Sequence, residues 1–151
     1  MKNKLVLALL ATTLAGSALA QVKPDDAIKY RQSGYAFMAW NMGRIKMNVE
    51  GNYNKDEVIK AANAIQAIAN SGMGALYLPG TDKGTGWEKT RAKSNIWTDK
   101  EQLGKVAMEF NKEANEMAKV AQTGDAAAVG AQLGKLGGTC KGCHDDFKAK
   151  R

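Results

Sequence analysis

The chain has 151 residues, of which 44% are hydrophobic and 25% are charged, and its formal net charge is +7. This length predicts one domain with a single hydrophobic core. The basic residues are spread along the chain and form no arginine-rich stripe with interleaved aromatic residues, which argues against nucleic-acid binding.

Residues 1–20 have the features of a secretory signal peptide. Two lysines precede a short apolar run over residues 5–10, and residues 18–20 read Ala-Leu-Ala. The apolar run is too short for a transmembrane span, so we expect no membrane span. Cleavage would leave residues 21–151 as the mature domain and would lower the net charge to +5, because two lysines are removed. The sequence therefore predicts a periplasmic protein.

Beyond this leader, hydrophobic residues repeat every three or four positions, and this spacing predicts amphipathic helices. The first begins near Pro24 and ends before Gly51. The second begins at Asn54, where Glu57 three residues later suggests a capping box, and ends near Gly72. The inward stripe of the first helix consists of Ile28, Arg31, Tyr35, Met38, Met42, Ile45 and Val49.

Two further helices follow a long connection over residues 73–97 that is rich in Gly, Lys and Thr. The third is predicted to begin at Thr98, with Glu101 completing a capping box. Asp125 is predicted to cap the fourth. Four amphipathic helices with mostly short connections predict an all-α fold, an antiparallel four-helix bundle.

The fourth helix carries a C-x-x-C-H sequence, the attachment signature of c-type haem. On a helix, Cys140, Cys143 and His144 lie at i, i+3 and i+4 and share one side. They are the only cysteines and the only histidine of the chain. We interpret them as the site of one haem c, bound through two thioethers, with His144 as the proximal iron ligand. Because the cysteines continue an inward stripe, the haem is expected inside the bundle.

The two cysteines could serve three other uses. A zinc site would need two more good ligands, and the chain offers one histidine. A thioredoxin-like dithiol would lie among strands, and the sequence predicts none. A disulfide suits an exported protein but would leave His144 without a role.

Four glycines, Gly130, Gly134, Gly137 and Gly138, precede the haem motif. Glycine inside a helix costs about 0.5–1 kcal/mol relative to alanine. Close approach of the porphyrin would explain this cost, and so would tight packing between helices. The sequence alone leaves both explanations open.

Arg31 is the charged member of the first inward stripe, and charged residues are rarely buried unless paired. Haem propionates would be suitable partners for its guanidinium, and the neighbouring Gln32 could also donate to them. The alternative is that Arg31 lies at the bundle end and extends into water.

The sixth position of the iron decides what such a haem does. A His/Met pair makes a six-coordinate electron carrier, whereas an open position binds small gases. Met38 and Met42 lie on the inward stripe, although methionine there is more often core filler. Tyr35 lies one turn before Met38, and a neutral phenol is a poor ligand but a good steric lid. The periodicity leaves this choice open.

An exported chain with C-x-x-C-H at its C-terminal end, after a four-helix pattern, resembles the cytochrome c′ family. The segments that carry this resemblance are 29–33 (Lys-Tyr-Arg-Gln-Ser), 96–99 (Ile-Trp-Thr-Asp), 124–125 (Gly-Asp) and 140–145 (Cys-Lys-Gly-Cys-His-Asp). The resemblance implies a homodimer of four-helix bundles with five-coordinate haem, whose distal face is covered by a bulky side chain, here Tyr35. It also implies propionate contacts for Arg31 and Gln32. Lys148 takes the proximal-side position where many relatives have arginine, and lysine lacks the planar fork.

From this resemblance we expect a monohaem protein that binds nitric oxide or carbon monoxide and transfers electrons to and from a redox partner. The alternative is a six-coordinate, low-spin His/Met cytochrome with Met38 on the iron. We expect no enzyme activity, because peroxidase-like chemistry calls for a distal base and there is no second histidine. Three aromatic residues off the inward stripe suggest a dimer surface, unless they pack against the 73–97 connection: Tyr30, Phe37 and Trp40.

Overall fold

The structure is a computed structural model that describes residues 22–150, and the predicted all-α bundle is confirmed in it. Its four long helices are α1 (Pro24–Glu50), α2 (Lys55–Ala69), α3 (Lys100–Ala121) and α4 (Ala126–Phe147). Within residues 22–150, β-type pairing is limited to two isolated bridges. No helix in that range is both long and apolar enough to cross a membrane. The predicted leader, residues 1–20, lies outside the described residues.

The starts of α2 and α4 are those predicted from the sequence. Asn54 Oδ1 accepts a hydrogen bond from Glu57 N at 3.2 Å. Asp125 Oδ1 accepts from the amides of Ala127 and Ala128, at 2.9 and 3.1 Å. Each contact satisfies amides in the first turn, which have no partner inside the helix.

The second half of the predicted capping box at Asn54 is wrong. The Asn54 amide donates to Asn48 Oδ1 at 2.9 Å instead of to Glu57. The Glu57 carboxylate forms ion pairs with Arg44 of α1 and with Lys60. The carboxylate therefore pairs with two cations, one of which links α2 to α1.

The predicted start of α3 is also wrong, by one residue. Asp99 is the N-cap residue, and its carboxylate accepts from Gln102 N at 3.4 Å. The predicted cap, Thr98, instead donates its hydroxyl to Asn95 O at 3.3 Å and so closes a short 3₁₀ helix, Ser94–Trp97. A second short 3₁₀ helix, Met73–Leu76, lies at the other end of the long connection.

The apolar interior has two parts. The main core draws on all four helices and includes Ile45, Val58, Ile65, Met117, Val129 and Leu136. A smaller core lies where α3 and α4 meet the long connection, and its members are Ile96, Val106 and Phe147, with Tyr77, Trp97, Leu103 and Cys143 packed against them. One of the two motif cysteines therefore belongs to an apolar cluster.

The 73–97 connection is attached to the surface of α1. Trp87 Nε1 donates to Ser33 Oγ at 2.7 Å, and Lys29 Nζ lies 4.2 Å from the centre of the Trp87 ring. A Cβ atom at Gly86 would come within 2.6 Å of the Lys29 amide nitrogen, so only glycine allows this approach. The connection therefore keeps a fixed position relative to α1.

Candidate haem site

The haem motif occupies the last turns of α4. Cys140 and Cys143 are free thiols and are partly buried. Burial raises the pKa of both thiols and keeps them protonated at neutral pH. Within residues 22–150, no group of three or more His, Cys, Asp or Glu side chains is placed to hold a metal ion, as a zinc site would require.

His144 opens onto a surface pocket of about 640 Å³ that is rich in cations. The pKa of its imidazole is lowered, first by desolvation and then by the charges of Lys148 and Arg91. A lowered pKa favours the neutral imidazole, which is the form that ligates a metal. Lys148, which the resemblance places near the proximal face, lines the same pocket.

Free space lies beside the motif. A Cβ atom added at Gly134, Gly137 or Gly138 would meet no atom within 4 Å, so tight helix packing does not explain these three glycines. It does explain Gly130, where a Cβ atom would lie 3.0 Å from Val49 Cγ1 of α1. The space at Gly137, which lies two turns before His144, is compatible with a porphyrin against α4.

α1 and α4 share less contact than the other neighbouring pairs of long helices, and their meeting line is called the seam here. Tyr35 projects from α1 near this seam, 41% exposed, and its hydroxyl lies 3.0 Å from that of Tyr77. Desolvation is the main cause that raises the pKa of both phenols, and the Cys143 thiol raises both further. The two phenols therefore lie near an attachment cysteine, and both are neutral at physiological pH.

Arg31 is buried, with 4% of its surface exposed, so the alternative in which it extends into water is wrong. Its Nη1 donates to Thr81 Oγ1 at 2.7 Å and to Leu76 O at 3.4 Å. Its Nη2 donates to Thr90 Oγ1 at 2.8 Å and to the Thr81 carbonyl. These acceptors are neutral, and no carboxylate within residues 22–150 forms an ion pair with Arg31. Burial accordingly lowers the pKa of the guanidinium.

Gln32 uses both ends of its amide on the long connection. Its Oε1 accepts from Trp87 N at 2.8 Å, and its Nε2 donates to Glu88 O at 2.9 Å. The structure therefore brings Arg31 and Gln32 together on one connection. A contact of either residue with a haem propionate stays a prediction.

The two methionines of the first inward stripe differ in their surroundings. Met42 packs against the main core, which is the role of core filler. Met38 is 6% exposed and lies one turn after Tyr35. Its predicted role as a possible iron ligand stays a prediction.

Sequence reasoning missed three residues of this site: Tyr77, Thr81 and Thr90. All three lie in the 73–97 connection, which has no hydrophobic period to indicate which side chains turn inward. The one available signal was Arg31 itself, because a buried guanidinium requires acceptors. That signal predicts acceptors but not their positions in the chain.

Comparison with known proteins agrees with this geometry. Residues 26–148 match the family profile described as Cytochrome C′. The cytochrome c′ of Rhodocyclus tenuis is 60% identical over 129 residues, which cover 85% of this chain and 97% of the relative. The cytochrome c′ of Allochromatium vinosum is 53% identical over 143 residues, with 94% and 93% covered.

Solved structures show the same similarity. The crystal structure of cytochrome c′ from Thermochromatium tepidum is 52% identical, with a TM-score of 0.82 over 87% of this chain and 100% of that chain. A solved cytochrome c′ with an unusual ligand-controlled dimer dissociation is 53% identical, with a TM-score of 0.84 and the same coverage. The chain therefore belongs to the cytochrome c′ family, and it is a monohaem c-type cytochrome with covalently bound haem.

Proposed function

We propose that this cytochrome is periplasmic, that its iron is five-coordinate, and that it binds nitric oxide and carbon monoxide in addition to transferring electrons. The observation that carries the proposal is the neutral phenol of Tyr35 near Cys143, across the seam between α1 and α4. An iron-bound tyrosine is a phenolate, and the raised pKa of Tyr35 opposes that form. Tyr35 therefore covers the distal side without occupying the sixth position.

Three residues of α4 hold the haem in this proposal. Cys140 and Cys143 supply the thioether sulfurs, and His144 supplies the proximal nitrogen. Three observations support this assignment: both thiols are free, the pKa of the imidazole is lowered, and space is open at Gly137. When bound, the haem supplies an iron that takes up a gas or changes its oxidation state.

Arg31 and Gln32 face the propionates in this proposal. The charge of Arg31 has only neutral acceptors within residues 22–150, and a propionate would supply the missing negative charge. Gln32 lies beside it and is already fixed by the backbone of residues 87–88. The two side chains would then bind the haem and the long connection together.

Gas binding has support from one solved relative. A variant of the cytochrome c′ from Alcaligenes xylosoxidans, 30% identical to this chain with a TM-score of 0.75, holds bound NO in its ferrous state. We expect no enzyme activity in the present chain, because its one histidine is assigned to the iron. An acid–base group on the distal side would be needed for peroxidase-like turnover.

The absorption spectrum of the ferrous protein, produced with a c-type maturation system, tests this proposal. Five-coordinate iron gives broad high-spin bands that change on addition of carbon monoxide. Sharp low-spin bands without added ligand would reject the proposal in favour of the alternative with Met38 on the iron. Haem that stays with the protein in acidified acetone, and is lost from a Cys140→Ala/Cys143→Ala variant, would confirm the covalent attachment.

We also propose that α1 forms a homodimer interface. Phe37 and Trp40 stack with their ring centres 5.4 Å apart and are 50% and 55% exposed. Tyr30 is 55% exposed as well, so the 73–97 connection does not cover these aromatic rings. The dimer of the solved relative noted above supports the same association here.

Sedimentation of two variants with an exposed apolar side chain removed tests the dimer. Trp40→Ser should shift the holoprotein towards monomer at micromolar concentration, because the apolar ring is lost from the interface. Met108→Ser is the control, since Met108 is 68% exposed but lies on α3, outside the proposed interface. A wild-type protein that sediments as a monomer would reject the interface.

A further inference from the structure

The hydroxyl of Tyr77 contacts the Tyr35 phenol, and the ring and backbone of Tyr77 have contacts on several sides. Its ring centre lies 4.7 Å from the Arg31 guanidinium, and the side chain packs against the smaller apolar core. Its amide donates to Gly74 O at 3.1 Å, and its carbonyl accepts from Trp97 Nε1 at 3.2 Å. Backbone and ring are thus both fixed.

The partner of this fixed hydroxyl is Tyr35, 42 residues earlier in the chain. Tyr77 Oη donates to Tyr35 Oη at 3.0 Å. A phenol can both donate and accept, so the hydrogen bond persists whichever of the two tyrosines is the donor. Burial raises the pKa of both groups, and both therefore keep their protons at physiological pH.

Tyr35 depends on this bond more than Tyr77 does. Its side chain is 41% exposed and lies near the seam between α1 and α4, where the two helices share little contact. Packing alone leaves the phenol freedom to turn away, whereas a bond to a fixed hydroxyl selects one orientation. An incoming ligand that displaces Tyr35 must break this bond.

We propose that Tyr77 is a positioning residue that holds Tyr35 over the distal side and thereby raises the barrier to gas binding. The inference rests on the proposed function, since it assumes that Tyr35 covers an open iron position. Arg31 contributes through its contact with the Tyr77 ring, and the 73–97 connection carries Tyr77 to the site.

Carbon monoxide association with the ferrous holoprotein, followed by flash photolysis, tests the inference. Tyr77→Phe keeps the ring and removes the hydroxyl, and it should speed association by about two- to tenfold, the effect of one hydrogen bond. Tyr35→Phe removes the same bond from the other side and should give a similar increase. The double variant should be no faster than either single variant, because one bond is lost in all three.

A matched control separates this role from general loosening of the fold. Tyr53→Phe removes a buried hydroxyl that has no hydrogen-bond partner among residues 22–150, and it should leave the association rate unchanged. The thermal unfolding midpoint of each variant shows whether the fold is intact. A merely structural role for Tyr77 would give additive effects in the double variant and would overturn the inference.

Two further outcomes separate a failure of the role of Tyr77 from a failure of the proposed function. If Tyr77→Phe binds carbon monoxide at the wild-type rate while Tyr35→Ala binds it faster, Tyr77 has no positioning role and the proposed function stands. If the wild-type ferrous protein is low-spin without added ligand, both the proposed function and the role of Tyr77 are rejected.

Discussion

Arg31 of α1 donates from Nη2 to Thr90 Oγ1 at 2.8 Å, and this contact joins residues that are 59 positions apart. Both side chains are buried, at 4% and 9% exposure. Thr81, with 0% exposure, accepts from the same guanidinium through its hydroxyl and its carbonyl. One charged side chain thus ties a long, glycine-rich connection to the bundle.

Replacing Arg31 with alanine should lower the free energy of unfolding by about 2–4 kcal/mol. The change removes charge-assisted hydrogen bonds and leaves the buried Thr81 carbonyl without its guanidinium donor. Urea unfolding of the holoprotein, followed by circular dichroism, measures the loss. Limited proteolysis should show faster cleavage within residues 80–90, because the connection loses its attachment.

Arg44→Ala is the matched control for this change on the same helix. The Arg44 side chain is 20% exposed and pairs with Glu57, whose side chain is 40% exposed. Partly exposed pairs of this kind contribute about 0–1 kcal/mol. An equal loss in both variants would contradict the larger contribution expected of the buried contacts of Arg31.

Alanine variants of two adjacent glycines of α4 test whether a porphyrin lies close to this helix. Gly137 lies seven residues before His144 and therefore on the same face of α4. Gly138 instead lines a groove together with Lys135 of α4 and Glu109 of α3. In the holoprotein, Gly138→Ala should stabilise the fold by about 0.5–1 kcal/mol, since a Cβ atom there meets nothing. Gly137→Ala should give less covalent haem per chain, measured by the pyridine haemochrome assay. Equal haem content in the two variants would contradict a close porphyrin at Gly137.

The helices were predictable because each has local signals. The hydrophobic period, Pro24 at the start of α1, and the caps at Asn54 and Asp125 act within a few residues of each other. The start of α3 was missed because the preceding 3₁₀ helix uses the hydroxyl of Thr98, a competition that the capping pattern does not reveal.

The site was only partly predictable for a related reason. The haem motif has fixed spacing, and the stripe of α1 placed Arg31 on the buried side, whereas Tyr35 of the same stripe is 41% exposed. The contacts of Tyr77 and Thr90 with that stripe span 42 and 59 residues and leave no periodic trace. Such contacts form only when the long connection folds against α1, so they require the tertiary structure.

The ion pair between α1 and α2 predicts a specific response to acid. Arg44 donates to the Glu57 carboxylate, and Lys60 Nζ lies 3.3 Å from it; both cations lower the pKa of Glu57 below its usual 4.5. Because the folded-state pKa is the lower one, the stabilisation is present above about pH 4.5 and is lost as the pH falls through the folded-state value. Glu57→Gln should therefore reduce the decline of the free energy of unfolding on acidification. Urea titrations at a series of pH values measure this decline. Arg44→Gln should reduce it less, because Lys60 still pairs with Glu57. If both variants lose stability with acid as steeply as the wild type, the ion pair is not the source of the decline.

The last prediction concerns which side chain of α1 controls the iron. If Tyr35 covers an open position, Tyr35→Ala should speed carbon monoxide association by about tenfold for each 1.4 kcal/mol of barrier removed. Met38→Leu, which conserves volume at a buried position, should leave both the spectrum and the rate unchanged. If Met38 is instead the iron ligand, Met38→Leu would turn a low-spin spectrum high-spin. In that case Tyr35→Ala would barely alter gas binding. Spectra and flash photolysis of the two variants decide between a lid and a ligand, because a lid changes only the rate whereas a ligand changes the spin state.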